Sequence, residues 1–172
     1  MKKLMTLACM TGLAAAGCGD DSPAAPTGPT TTDVVFTVAL SAANEVPPIS
    51  NAEAGATGTG TITFHVIRDA SGAITATTVD FAVTMASFPS GSTARLSHIH
   101  SGGAGVTGPV VIDTGLSPSA PIAMPAGTGS FAFSGVTLTV EDMSAILANP
   151  AGYYLNVHSV LNGSGAIRGQ LG

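Results

Sequence analysis

The sequence predicts an all-β fold, an antiparallel Greek-key-like sandwich or barrel with one short helix near residues 140–149. Three observations support this prediction. Apolar residues recur at every second position in many short runs, which is the period of a half-buried strand. Glycines (22) and prolines (11) interrupt these runs, so long helices are not expected. Only 9% of the residues are charged, so hydroxyl groups and backbone amides must form much of the polar surface.

The predicted strands follow one another at short intervals. The clearest alternation occurs in residues 34–40, 61–66 and 79–85. Ser71 and Gly72 form a turn signal between the second and third runs, which predicts a hairpin there. Further strands are predicted at 94–100, 109–113, 129–133, 136–140, 153–159 and 166–171. Spacing of this kind is typical of sandwiches and barrels.

The single predicted helix lies near the end of the chain. Thr139 is a suitable N-cap, Met143 and Ile146 fall on one face, and Pro150 ends the helical pattern. We therefore expect the helix to bridge two strands.

The N-terminus has the pattern of an export signal. Lys2 and Lys3 precede an apolar stretch, residues 4–16, that is too short to span a bilayer. The small residues that follow lead into Cys18 and resemble the lipobox of bacterial lipoproteins. This resemblance implies a signal peptide at 1–17 and attachment of lipid to Cys18, which would hold the protein on a membrane without a spanning helix.

The rest of the chain divides into a tether and one domain. Residues 18–33 are rich in proline and threonine and predict a flexible spacer. Residues 34–172 form the predicted domain, which is large enough to bury a core without disulfides. We expect a lipid-anchored, extracytoplasmic protein of the cell envelope, periplasmic or on the cell surface. Ordinary cleavage near the same point, leaving a free secreted domain, is the alternative.

Charge and cysteine content exclude several functions. The formal net charge is −5, so no basic surface is available for nucleic acid. The two cysteines are Cys9, inside the signal, and Cys18, which leaves none for a disulfide, a thiolate metal site or a nucleophilic-cysteine enzyme. No serine lies in a Gly-x-Ser-x-Gly elbow, and the glycine-rich run at 101–105 has no P-loop lysine. The sequence therefore favours a binding or structural module over an enzyme.

Histidines on two predicted strands form the candidate site. His98 and His100 lie on one strand face, about 6.6 Å apart along the strand. His158 shares a face with Asn156 on a later strand. If these strands are close together, the three imidazoles offer a nitrogen ligand set suited to copper or zinc. Asn156 and Arg168 would then orient the ligands from outside the coordination sphere.

A polar layer without metal is the competing interpretation of these histidines. Neutral imidazoles could form hydrogen bonds with the nearby amides and Arg168 and fix the register of the strands. His65 is expected to be exposed. Glu45 and Glu53 flank the turn at Pro47 and Pro48, where we expect a solvated loop; a catalytic pair of carboxylates is the alternative.

Three segments together resemble the CHRD domain, named from chordin and also present in bacterial envelope proteins. They are LSAANEVPP at 40–48, HIH at 98–100 followed by GPVV at 108–111, and YLNVHS at 154–159 followed by IRGQL at 167–171. Asn162-Gly163 stands where the family often has Asn-Pro, and Ala166 where it often has Glu. Loss of that carboxylate removes a possible ion partner of Arg168.

The resemblance implies an extracellular domain without a general enzymatic assignment. More distantly, the His-x-His strand, the later histidine and the late arginine resemble part of the copper site of copper/zinc superoxide dismutase. The zinc-ligand histidines and the disulfide of that family have no counterpart here. We therefore predict an envelope binding or structural module with an unknown envelope or extracellular protein partner. The alternative is a mononuclear copper or zinc protein with dismutase-like redox chemistry.

Overall fold

The computed structural model describes residues 28–172, in which nine antiparallel strands form one curled sheet, a half-barrel. The strands are β1 (Thr30–Ser41), β2 (Thr57–Arg68), β3 (Ile74–Ala86), β4 (Ser92–Ser101), β5 (Val110–Asp113), β6 (Ile122–Met124), β7 (Gly129–Thr137), β8 (Tyr153–Ser159) and β9 (Ile167–Gln170). The single α-helix of the described residues, α1 (Val140–Ala148), lies between β7 and β8, and two short 3-10 helices occur at Ala42–Asn44 and Pro150–Gly152. This confirms the predicted all-β class with one short helix.

The strand order across the sheet is β5-β4-β8-β9-β1-β2-β3-β7, and the short β6 pairs with β4. β1, β2 and β3 form a meander, in which all twelve residues of β1 pair with β2. β9 joins this meander to the β4–β8 pair through the bridge between Ser41 and Arg168. Distant parts of the chain, β4 and β8, therefore become neighbours in the sheet.

The core is formed by the alternate residues that the sequence pattern predicts to be buried. One side-chain set of each long strand is buried, while the intervening residues are more exposed. The buried hydrophobic side chains of β2 and β3 are Ile62, Phe64, Val66, Val79, Phe81, Val83 and Met85. Helix α1 adds Met143 and Ile146, and the Thr139 side chain caps its N-terminus by accepting a hydrogen bond from the Asp142 N–H at 3.0 Å.

Two predicted boundaries are wrong. A separate strand at 136–140 does not exist, because β7 continues through Gly135 as a bulge opposite Asp80. Gly135 has a φ of 70° and donates its N–H to the Asp80 carboxylate at 2.8 Å, so this glycine bends the strand instead of ending it. β1 begins at Thr30, inside the predicted spacer at 18–33, because its threonines pair with the end of β2.

The signal peptide at 1–17, the lipidation site Cys18 and most of the predicted tether lie outside the described residues. Within residues 28–172, no helix is long and apolar enough to cross a membrane.

Candidate metal centre

The antiparallel pairing of β4 and β8 brings the three predicted histidines together. His98 lies opposite Asn156 in this register, and Leu96 lies opposite His158. His98 and His158 are therefore diagonal neighbours, and His100 follows His98 on the same face of β4. One ring nitrogen from each histidine lies within 4.8 Å of the others. His100 is 9% exposed and His158 is 7% exposed, whereas His98 is only partly buried, so the cluster opens to water mainly at His98.

Backbone carbonyls fix the ring orientation of two of these histidines. The Nδ1 atom of His100 lies 3.0 Å from the carbonyl oxygen of Gly108, and that of His158 lies 3.0 Å from the carbonyl oxygen of Gly163. A carbonyl oxygen only accepts, so we assign the proton of both rings to Nδ1. Both Nε2 atoms are then unprotonated and carry a lone pair, which is the arrangement that metal-binding histidines require.

The two Nε2 atoms have different surroundings. His100 Nε2 is buried and has no hydrogen-bond partner. His158 Nε2 lies 3.2 Å from His98 Nδ1, which we assign as the donor in the metal-free protein. If the His98 proton moves to its own Nε2, Nδ1 becomes the third ligand atom. The cluster thus offers three neutral nitrogen ligands, with His98 contributing Nδ1 and the other two contributing Nε2.

Burial favours the uncharged form of two of the three histidines, His98 and His158. Desolvation lowers the pKa of His158 to about 4, an effect that the hydrogen bond to the Gly163 carbonyl only partly offsets. Desolvation also lowers the pKa of His98. Neutral imidazoles bind metal ions without first releasing a proton to water, so the site suits binding at neutral pH.

Close packing around Gly108 holds the carbonyl that orients His100. A Cβ atom at Gly108 would overlap the Ser101 carbonyl oxygen, so only glycine fits this approach. The Gly108 N–H donates to the Tyr154 hydroxyl at 3.3 Å. The Tyr154 ring also stacks on the His100 ring, with centroids 5.0 Å apart and planes 6° apart. His100 is therefore fixed on one edge and one face.

Arg168 lies against the Tyr154 ring, and its side-chain hydrogen bonds in the described residues go to groups other than the histidines. Its guanidinium carbon is 3.4 Å from the centre of the Tyr154 ring. The side chain is 2% exposed, and its Nη2 donates to the carbonyl oxygens of Gly103 and Val106, both at 2.8 Å. The glycine-rich turn is thus the docking point of a buried arginine, which the sequence did not reveal.

In a comparison with protein-family models, residues 36–171 match the CHRD domain. The chain belongs to the CHRD domain family. Comparisons with curated proteins and with solved structures gave no match. All three histidines, Asn156 and Arg168 lie inside the matched region of the CHRD domain.

The expectation that Glu45 and Glu53 of the CHRD domain lie in a solvated loop is wrong. Glu45 is 7% exposed and Glu53 is 1% exposed, because their loop packs against residues more than 100 positions later in the chain. Glu45 Oε2 accepts a hydrogen bond from Asn156 Nδ2 at 3.3 Å. Burial raises the pKa of Glu45 to about 7, and the bond from Asn156 and the positive charge of Arg168 offset this only in part.

His65 does not join the histidine cluster of the CHRD domain. Its Nδ1 lies 2.7 Å from the Asp33 carboxylate and its Nε2 lies 3.3 Å from that of Asp80, both on the partly exposed face of the sheet. These two hydrogen bonds raise the pKa of His65, whereas burial lowers the pKa values of His98 and His158. His65 is therefore a useful reference for experiments on the cluster.

Proposed function

We propose that this CHRD domain is a metal-binding module of the cell envelope that holds one copper or zinc ion between His98, His100 and His158. The orphaned His100 Nε2 carries the proposal. A buried nitrogen lone pair without a partner destabilises a protein, and a bound metal ion would satisfy it. The same ion would attract the lone pairs of the other two rings.

The donor set favours copper and zinc among the common metals. Imidazole nitrogen suits both ions, whereas magnesium and calcium prefer oxygen ligands. Three protein ligands leave at least one coordination position for water or a small ligand. Because divalent copper binds nitrogen sites more tightly than zinc, we expect the domain to prefer copper when both are supplied.

We further propose that export and lipid attachment at Cys18 place this module on the outer side of a membrane. The support is the sequence pattern at residues 1–18 and the proline-rich spacer that follows it. In that position the site would meet metal ions, or a metal-carrying or structural envelope protein, outside the cytoplasm.

Metal titration of the purified, chelator-treated chain tests the proposal. We expect one copper or zinc ion per chain after dialysis, and three nitrogen couplings in the electron paramagnetic resonance spectrum of the copper form. A His98→Ala, His100→Ala double variant should lose this binding. His65→Ala is the matched control and should retain it, because His65 lies outside the cluster.

The proposal fails if the double variant and the His65→Ala control retain equal amounts of metal. It also fails if the unmodified chain remains empty after challenge with either ion, which would support a hydrogen-bonded layer that only fixes strand register.

A further inference from the structure

The turn between β8 and β9 carries the carbonyl that orients His158. The Asn162 carbonyl accepts hydrogen bonds from the N–H groups of Ser159 and Gly165, both at 3.2 Å. The Asn162 N–H in turn donates to the Ser159 hydroxyl at 2.8 Å. Gly163, whose carbonyl accepts from His158 Nδ1, lies inside this closed turn.

Glu53 binds this turn from a distant part of the chain. One carboxylate oxygen, Oε2, accepts from the Ser159 hydroxyl at 2.5 Å and from the Asn162 amide at 2.6 Å. Glu53 is 1% exposed, so water does not compete with these bonds. Asn51 adds a second attachment by donating to the Asn162 side-chain oxygen at 2.8 Å.

The two donors that bond to Glu53 both lie between His158 and Gly163 in the chain. Ser159 directly follows His158, and Asn162 directly precedes Gly163. Fixing both positions leaves the Gly163 carbonyl little freedom to rotate. Hydrogen bonds to a carboxylate are stronger than those to a neutral acceptor, so a buried glutamate suits this task.

We propose that Glu53 is a positioning residue of the metal site, which sets the Nδ1–H tautomer and the ring orientation of His158 through the β8–β9 turn. This inference rests on the proposed metal function. Groups outside the coordination sphere that orient histidine ligands typically change metal affinity by about 10- to 100-fold when they are removed. We therefore expect Glu53→Ala to weaken copper and zinc binding within that range.

Glu53→Gln and Met143→Ala are the matched variants. Glutamine keeps a neutral acceptor oxygen for the two donors, so it should restore most of the affinity that alanine loses. Met143 is buried in α1, which packs on β3, so its truncation should destabilise the fold without changing metal affinity. If Glu53→Ala does not fold, Asn162→Ala removes the same link from the other side.

Nitrogen NMR of the metal-free protein provides a second measurement. His158 should show the signal of a ring protonated at Nδ1 in the unmodified chain, and a mixture of tautomers in Glu53→Ala. Equal metal affinity and an unchanged His158 signal in Glu53→Ala would overturn the inference while leaving the proposed function intact. If the unmodified chain binds no metal, the proposed function fails, and the tautomer signal alone still decides the role of Glu53.

Discussion

Replacing Glu45 by glutamine should make the stability of the domain less dependent on pH between about 4.5 and 7. Glu45 is 7% exposed, and its Oε1 atom is buried without a hydrogen-bond partner. Burial raises its pKa from 4.5 to about 7, despite the hydrogen bond from Asn156 and the positive charge of Arg168. Ionising this carboxyl group is therefore more costly in the folded protein than in the unfolded chain.

The sign and size of the effect follow from this pKa. Because the folded state holds the Glu45 proton more tightly, stability is greatest below pH 4.5 and falls as the pH rises through about 7. The change in pKa from 4.5 to about 7 corresponds to about 3 kcal/mol at most. Glu45 also borders a cleft of about 540 Å³ that is open to water, so we expect a loss of about 1 to 3 kcal/mol. Glutamine cannot ionise and should not show this loss.

Urea unfolding of the metal-free chain between pH 4 and 8.5 measures the effect. His98 and His158 have lowered pKa values, so their contribution to stability is lost as the pH falls, opposite to that of Glu45. Both chains share these histidines, so the difference between the free energies of unfolding isolates Glu45. Glu141→Gln, at an exposed position in α1, corrects for the loss of one negative charge. A difference between wild type and Glu45→Gln that stays constant over this pH range would refute the burial argument.

Two further predictions concern the glycine carbonyls and the membrane anchor. Gly108→Ala should weaken metal binding about 10-fold or more, because the new Cβ would force the loop away from Ser101 and move the Gly108 carbonyl away from His100. Gly163→Ala is the control and should bind metal normally, because its new Cβ meets nothing within 4 Å. Equal affinities of the two variants in a metal titration would contradict this reasoning. Cys18→Ser should move the protein from the membrane fraction to the soluble fraction, as measured by cell fractionation and by mass spectrometry of the attached lipid. An unchanged distribution would exclude lipid attachment at Cys18.

Local sequence signals were sufficient for most of the fold. The alternation in β2 and β3 predicted which side chains are buried, because a strand directs successive residues to opposite faces. Thr139 predicted the start of α1, because a threonine side chain satisfies backbone N–H groups that the helix leaves free. Gly135 was misleading, since a glycine after a serine indicates a turn but here forms a bulge within β7.

The candidate site required information of two kinds. The shared face of His98 and His100 follows from their spacing on one strand, and the resemblance to the CHRD domain placed His158 in the same family pattern. The proximity of His158 to this pair depends on the pairing of β4 with β8, which no local pattern specifies. The burial of Glu45 and Glu53 also depends on contacts with residues more than 100 positions away, so both were wrongly expected in solvent.

Backbone carbonyl groups, more than side chains, set the ring tautomers that suit these histidines to bind a metal. The carbonyls of Gly108 and Gly163 determine which nitrogen of His100 and His158 keeps its proton. A sequence gives the position of a glycine but not the direction of its carbonyl, which the surrounding turn sets. Two CHRD domains could therefore share all three histidines and differ in metal affinity, if one lacked the Glu53 contact that holds the β8–β9 turn. Comparing ring tautomers in metal-free domains would separate these cases more directly than comparing their histidines.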